Sequence, residues 1–190
     1  MFPFEIDKRK ARLLAIAIVM LSVLIIIIAT ATVRYTKLPI FFVRGENADE
    51  AETYFGTTIV QISPAGDVAK LTLPFGGELV NLTHILQVNS SLTWDTTVTI
   101  DVSYSELVSG VVDHIDIRIE VFNKTTKIDE YTITVSASNP SVSQSIPMPA
   151  QGMWKISILE YSIPEGILTN LDSVNTDVAT LTIRIKHWYP

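Results

Sequence analysis

The side chains best suited to acid–base or metal chemistry are widely scattered in this sequence. The three histidines, His84, His114 and His187, lie far apart and share no ligand-like spacing. A zinc site needs three or four converging ligands, and the chain has no cysteine to supply them. We therefore predict a structural or surface role for each histidine, and no metal site.

A hydrolase-like grouping is suggested by Asp113 and His114, with Ser109 nearby. Ser109 lacks the glycine-flanked elbow of the common hydrolases. Consecutive strand residues also point to opposite faces, which would separate Asp113 from His114. The sequence thus predicts surface positions here and no enzyme, although an enzyme or metal module would remain if distant carboxylates converged. The candidate carboxylates for such convergence are Asp95, Asp101, Asp113 and Asp116.

Two acidic groups could in principle bind calcium, Asp129-Glu130 and the cluster from Glu46 to Glu52. Calcium takes about six to eight oxygen ligands from flexible loops. Neither group has the spaced aspartates of a calcium-binding loop, so both are predicted to be solvated charge. Gly76-Gly77 is followed by no Lys-Ser/Thr pair and reads as a turn. No cofactor is predicted.

Three sequons could accept N-linked glycans: Asn81-Leu82-Thr83, Asn89-Ser90-Ser91 and Asn123-Lys124-Thr125. The motif needs a hydroxyl residue two positions after the asparagine and an exposed loop. All three lie near predicted turns or strand ends. We expect at least one of Asn81, Asn89 and Asn123 to carry a glycan if the source organism glycosylates its exterior proteins.

The elements that must position these groups follow an apolar stretch from Leu13 to Val33. Its 21 residues contain no charge, proline or glycine. A helix of that length covers roughly 30 Å, the thickness of the hydrocarbon core of a bilayer. Four basic residues precede it within 1–12, which favours an N-terminus inside the cell. We predict a transmembrane signal-anchor, with cleavage after Ala31 as the competing outcome.

A short basic leader, one long apolar helix and a β-rich head together resemble the layout of archaeal type IV pilins and archaellins. In that family a leader peptidase cuts just before the apolar helix, after a charged residue followed by Gly or Ala. Lys10-Ala11 fits those two positions, whereas Arg12 departs from the uncharged or acidic residue that follows the cut. The resemblance implies assembly into an extracellular filament.

The segment Pro39, Ile40, Phe41, Phe42 and Val43 is the first unit after the apolar stretch. It is predicted to be an interfacial segment or the first strand of its own domain. A sharper hypothesis makes it a strand-exchange segment that pairs with a neighbouring subunit. The acidic residues of 45–56 that follow are interpreted as a solvated linker.

From Thr57 onward apolar and polar residues alternate with the period of two that is typical of half-buried strands. The clearest runs are 98–104, 115–121, 131–135, 154–158 and 181–185. Shorter strands are predicted in 58–63, 67–73 and 78–88, whereas 141–153 is predicted to be a loop or irregular edge. About eight such strands predict an all-β fold, an antiparallel two-sheet β-sandwich of immunoglobulin-like or jelly-roll type. The tryptophans Trp94, Trp154 and Trp188 are expected in core or rim positions.

Composition agrees with an exterior location. Of 190 residues only 18% are charged, and the net charge of −6 argues against nucleic acid as a partner. The chain is predicted to comprise a cytoplasmic tail (1–12), a transmembrane helix (13–33), a juxtamembrane strand with its acidic linker (34–56) and an extracytoplasmic sandwich (57–190). The expected function is a structural or protein-interaction role in the cell envelope or a membrane complex. The expected partners are the lipid bilayer and either another protein or further copies of the chain. The alternative is the filament subunit implied above.

Overall fold

The computed structural model describes residues 19–20, 38–74, 82–107, 112–161 and 177–186. Of the predicted membrane span, only Val19 and Met20 fall within this part, and both are helical. Among the described residues no helix has the length and apolar character needed to cross a bilayer. The span from Leu13 to Val33 otherwise lies outside the described residues, and it stays a prediction.

The described part beyond residue 37 is built almost entirely of strands. Its elements are β1 (Ile40–Arg44), α1 (Ala48–Phe55), β2 (Val60–Ile62), β3 (Val68–Pro74), β4 (Leu82–Ser90), β5 (Thr96–Glu106), β6 (His114–Asn123), β7 (Thr126–Ser136), β8 (Ser141–Met148), β9 (Met153–Tyr161) and β10 (Asp177–Lys186). All eight strands predicted from alternation are present. The segment that was expected to be a loop, 141–153, contains β8 and the start of β9.

The strands form two five-stranded antiparallel sheets, which confirms the predicted sandwich class. The first sheet has the order β1-β4-β9-β6-β7, and the second has the order β2-β3-β10-β5-β8. Strands β3 to β10 follow the eight-strand arrangement of a jelly roll. Each connection between consecutive strands crosses from one sheet to the other, except the one between β6 and β7. The topology thus selects the jelly roll over the immunoglobulin-like alternative, with β1 and β2 added at the two edges.

The core lies between the sheets and is supplied by the alternating positions identified in the sequence. In β6, for example, Ile115, Ile117, Ile119 and Val121 are all fully buried. Each such aliphatic side chain contributes roughly 1.5–3 kcal/mol on burial. Trp154 is also fully buried, and its indole Nε1 donates to the Pro147 carbonyl at 2.9 Å. With no disulfide in the chain, this core carries the stability of the sandwich.

The acidic segment 45–56 is a helix packed on the sandwich, not the solvated linker that its charge suggested. Helix α1 buries Ala48 and Phe55, with Ala51 packed against the core between them. Gly56 ends the helix in the left-handed conformation, with φ of 65°. The sequence did contain these signals: apolar residues at i, i+3 and i+7, acidic residues in the first turn and a glycine just after the end.

Strand β4 contains a bulge that sets the geometry of one corner of the first sheet. Leu82 and Leu86 of β4 pair with Ile158 and Ile156 of β9, so three residues of β4 lie opposite the single residue Ser157. The middle one, His84, has a left-handed φ of 49°. Its N–H donates to the buried Ser157 hydroxyl at 2.9 Å, which gives both groups a partner.

The chain after β1 lies directly against this bulge. The Gly45 N–H donates to the Ile85 carbonyl at 2.9 Å, and the Asn47 side-chain amide donates to the Thr83 carbonyl at 2.9 Å. A Cβ atom on Gly45 would lie 1.8 Å from the His84 carbonyl oxygen. Position 45 therefore requires glycine because two main-chain segments touch there.

We expect Gly45→Ala to lower the free energy of unfolding by about 3 kcal/mol, because main-chain atoms on both sides must move to relieve the overlap. The measurement is denaturant unfolding of the full chain in detergent, followed by circular dichroism.

Gly56→Ala is the matched control. A Cβ atom there has no neighbour within 4 Å, and only the left-handed φ opposes it, at a cost of roughly 1–2 kcal/mol. Equal losses for the two variants would contradict the close contact between Gly45 and His84.

Candidate functional site

The bulge directs His84 onto the outer face of the first sheet, between two carboxylates. Its Nδ1 lies 2.6 Å from Glu46 Oε1, and its Nε2 lies 2.6 Å from Glu120 Oε2. Glu46 follows β1, and Glu120 lies in β6. The histidine thus links the chain that follows edge strand β1 to β6, across β9. We call Glu46, His84, Glu120, Lys127 and Lys155 the outer-face cluster.

Two lysines complete this cluster. The Lys155 ammonium group donates to Glu46 Oε1 at 2.9 Å and lies 5.5 Å from the centre of the Phe122 ring. The Lys127 ammonium group donates to Glu120 Oε1 at 2.7 Å and also contacts the Glu130 carboxylate. Glu120 and Glu130 are direct cross-strand neighbours, so Lys127 offsets the repulsion between two like charges.

The electrostatics of the cluster favour ionised carboxylates. Hydrogen bonds from Lys155 and His84 lower the pKa of Glu46. Burial opposes ionisation of Glu120, but the hydrogen bonds from Lys127 and His84 outweigh it and lower its pKa. Each ring nitrogen of His84 already has its own carboxylate partner. The arrangement can therefore hold strands together by charge pairing.

A second ion-paired cluster surrounds Arg44, the last residue of β1. Its Nη2 atom lies 2.6 Å from Asp49 Oδ1 and 2.7 Å from Glu52 Oε2, and its Nη1 donates to the Val60 carbonyl at 3.1 Å. Glu52 Oε1 accepts from the N–H groups of Ile59 and Val60, each at 2.9 Å. This cluster links β1 of the first sheet, through α1, to β2 of the second.

The outer face of the second sheet carries a shallow groove of about 400 Å³. Its polar lining comes from Asp101, Ser103, Ser141, Ser143, Thr182 and Arg184. Asp101 contacts the Lys186 ammonium group and accepts from the Ser143 hydroxyl at 2.7 Å. These hydrogen bonds lower the pKa of Asp101. The groove is a hydroxyl-rich surface with both signs of charge.

The predicted hydrolase-like grouping is placed differently from our expectation. Asp113 precedes β6 instead of lying within it, so its Oδ2 atom reaches His114 Nδ1 at 3.2 Å. The rule that neighbouring strand residues point apart does not apply at a strand's entrance. Both side chains are accessible, with Asp113 72% exposed. Ser109 and His187 lie outside the described residues.

The four aspartates considered for convergence are not brought together. Asp101 lies on the second sheet, and Asp116 lies on the first, where it accepts from the Thr134 hydroxyl at 2.5 Å. Asp95 lies in the β4–β5 loop and accepts from the Ala150 N–H at 2.8 Å. Within the described residues no group of three or more His, Cys, Asp or Glu side chains is placed to hold a metal ion.

The carboxylates of Asp129 and Glu130 are bound by nearby residues of the chain, as are several carboxylates of the segment 46–52. Asp129 accepts from the Tyr131 hydroxyl at 2.6 Å and from the Glu130 N–H at 2.8 Å, and these bonds lower its pKa. Glu130 pairs with Lys127. Sequence reasoning identified these carboxylates as solvated charge and missed their partners.

The glycan acceptors differ in their surroundings. Asn123 is exposed at the tip of the β6–β7 hairpin, where Lys124 has a φ of 57°. Asn89 lies half-buried within β4, and its Oδ1 accepts from the Gln87 amide at 2.5 Å. Asn81 lies outside the described residues. Their use as glycan acceptors stays a prediction; of the two described asparagines, the exposed Asn123 suits it better.

The candidate strand-exchange segment pairs within its own chain. Ile40 to Val43 belong to β1, which runs antiparallel to β4, and Pro39 accepts from the Ser91 N–H at 2.7 Å. On the opposite side of β1, the Phe42 N–H donates to the Gly66 carbonyl at 2.7 Å. The β2–β3 turn thereby covers part of this sheet edge.

No protein-family model and no curated protein matches the sequence. Among solved structures, the N-terminal cellulose-binding domain of Cellulomonas fimi β-1,4-glucanase C is 8% identical. The match covers 83% of this chain and 95% of that domain, with a TM-score of 0.34. A CBM4 structure is 7% identical over 78% of this chain and 91% of its own, also with a TM-score of 0.34.

The Gap123 glycosylation-associated complex of Streptococcus agalactiae is 10% identical over 78% of this chain and 26% of its own, with a TM-score of 0.30. All three matches have identities of 10% or less and TM-scores of 0.34 or less. We draw no inference about ligand or activity from them.

We expect acid to weaken the sandwich through the outer-face cluster. The pKa of Glu120 is lower in the folded chain than in the unfolded one, so the unfolded chain binds protons first as the pH falls. The stabilisation is complete above the usual carboxyl range and is lost from about pH 5 downward. The melting temperature of Glu120→Gln should therefore lie below that of the wild type at pH 7, and the gap should narrow towards pH 3.

Glu130→Gln is the control, because Glu130 shares Lys127 but does not contact His84. Its melting temperature should differ less from the wild type at pH 7. A gap for Glu120→Gln that stays constant with pH would contradict the assigned charge pairing.

Proposed function

We propose that the chain is a membrane-anchored cell-surface jelly roll with a structural or protein-interaction role in the envelope. The observation that carries this proposal is the uncharged 21-residue stretch from Leu13 to Val33, placed directly before a separately packed sandwich. A helix of that composition is long enough to span a bilayer. The basic residues of 1–12 favour a cytoplasmic N-terminus and an exterior sandwich.

The paired charges support a role through contacts. In the outer-face cluster both ring nitrogens of His84 and both carboxylates have partners within the chain. Such closed pairing holds strands in place, whereas acid–base catalysis needs a group free to exchange a proton with a substrate. The hydroxyl-rich groove of the second sheet offers a mixed polar surface of the kind found at the rim of protein interfaces.

Membrane topology can be tested with single cysteines, because the natural chain has none. Ser105 is exposed on the outer face of β5, and Asp7 lies in the predicted cytoplasmic tail. In intact cells a membrane-impermeant maleimide should label Ser105→Cys. It should label Asp7→Cys only after the cells are permeabilised, since the bilayer then no longer shields the tail.

Labelling of Asp7→Cys alone in intact cells would reverse the proposed orientation. Release of the protein from membranes by alkaline carbonate would contradict the anchor itself.

The filament alternative predicts a different mature chain. If the protein is a permanent anchor, intact mass should show the full-length chain in purified membranes, because no protease has removed the segment before Leu13. Sheared cell-surface material should contain little of it. A chain that begins near Arg12 and is concentrated in the sheared fraction would instead support the filament subunit, and one that begins at Thr32 would indicate cleavage and release.

A further inference from the structure

One end of the sandwich combines the point where the chain enters with an exposed tryptophan. The chain enters at Leu38–Pro39, and the β4–β5 loop follows Ser90 at the same end, because Ile40 and Ser90 are paired residues. Trp94 lies in that loop and is 54% exposed, whereas Trp154 is fully buried. An indole left this accessible is suited to a contact outside the domain.

The loop that carries Trp94 is fixed to the entry point. The N–H and the hydroxyl of Ser91 both donate to the Pro39 carbonyl, at 2.7 and 3.0 Å. On the other side of Trp94, the Asp95 carboxylate accepts from the Ala150 N–H at 2.8 Å. Hydrogen bonds thus hold the chain on both sides of Trp94, and they set its position relative to Pro39.

The sequence limits how far this end can lie from the predicted membrane segment. Four residues, 34–37, separate Val33 from Leu38. Five Cα–Cα steps span at most roughly 18 Å. Tryptophan favours the interface between hydrocarbon and water, where its ring is buried and its N–H stays hydrated. Arg34 and Lys37 lie within the same link, and long basic side chains beside a span reach towards the headgroups.

We propose that Trp94 inserts into the headgroup region of the bilayer that holds the anchor. The β4–β5 loop is then a second, non-covalent membrane contact, and it fixes the end of the sandwich that faces the lipid. This inference rests on the proposed anchor. The opposite end, where β5 finishes at Glu106, faces away from the membrane and is left accessible to partners.

The test uses tryptophan fluorescence of the full-length protein in phosphatidylcholine vesicles with and without bromine on the upper part of the acyl chains. Trp188 lies outside the described residues and is replaced in all samples. The signal of Trp94 is the difference between Trp188→Phe and the double variant Trp94→Phe/Trp188→Phe. Bromine should reduce that difference by about half or more, because it quenches indoles at the interface. The double variant, which retains buried Trp154, should change little.

Leu107 provides a matched control at the opposite end. It follows β5 and is 53% exposed, close to the value for Trp94. In the Trp94→Phe/Trp188→Phe background, Leu107→Trp should not be quenched by brominated lipid. Equal quenching at positions 94 and 107 would overturn the proposed orientation.

The membrane contact of Trp94 and the membrane anchor can be tested separately. An unquenched Trp94 in protein that resists alkaline carbonate overturns the loop contact and leaves the anchor in place, and Trp94 would then be available to a protein partner. Extraction of the protein by carbonate overturns both proposals.

Discussion

The contact between Gly45 and the main chain at His84 is the constraint on which one corner of the molecule depends. It brings the chain after β1 against the β4 bulge so closely that a side chain cannot fit. The bulge in turn gives His84 its left-handed conformation and directs its ring to Glu46 and Glu120. Such a conformation costs roughly 1–2 kcal/mol in a residue with a Cβ. The Ser157 hydrogen bond and the contacts of both ring nitrogens with carboxylates offset that cost.

From this corner the two sheets are joined at their edges. Arg44 leaves β1 and binds Asp49 and Glu52 of α1, and Glu52 also accepts the N–H groups that begin β2. The edge strands of a sandwich expose backbone groups that water and other strands can reach. Here a helix and a charged cluster cover one edge, and the β2–β3 turn covers part of β1.

Many of the described polar groups have partners within the chain. Those at the corner and on the first sheet are paired with one another and stabilise the fold. Two further surfaces are exposed: Trp94 lies beside the chain entry, and the hydroxyl-rich groove, in which Asp101 contacts Lys186, lies on the outer face of the second sheet. These exposed surfaces support the proposed envelope role.

The sequence by itself determined the class of fold. Period-two alternation is a local property, so runs such as 115–121 predicted strands and their buried faces correctly. Alternation did not reveal β8, an edge strand, because the polar Gln144 occupies one of its inward positions. A polar residue is tolerated there because the edge of the sheet is only partly covered. The segment 45–56 was interpreted as a linker because it is rich in charge. The buried face of α1 consists of only a few residues and gave a weak signal. Only the tertiary structure decided the jelly-roll order, the bulge and the pairing of His84 with Glu120. Those two residues are 36 positions apart, and no local pattern brings them together.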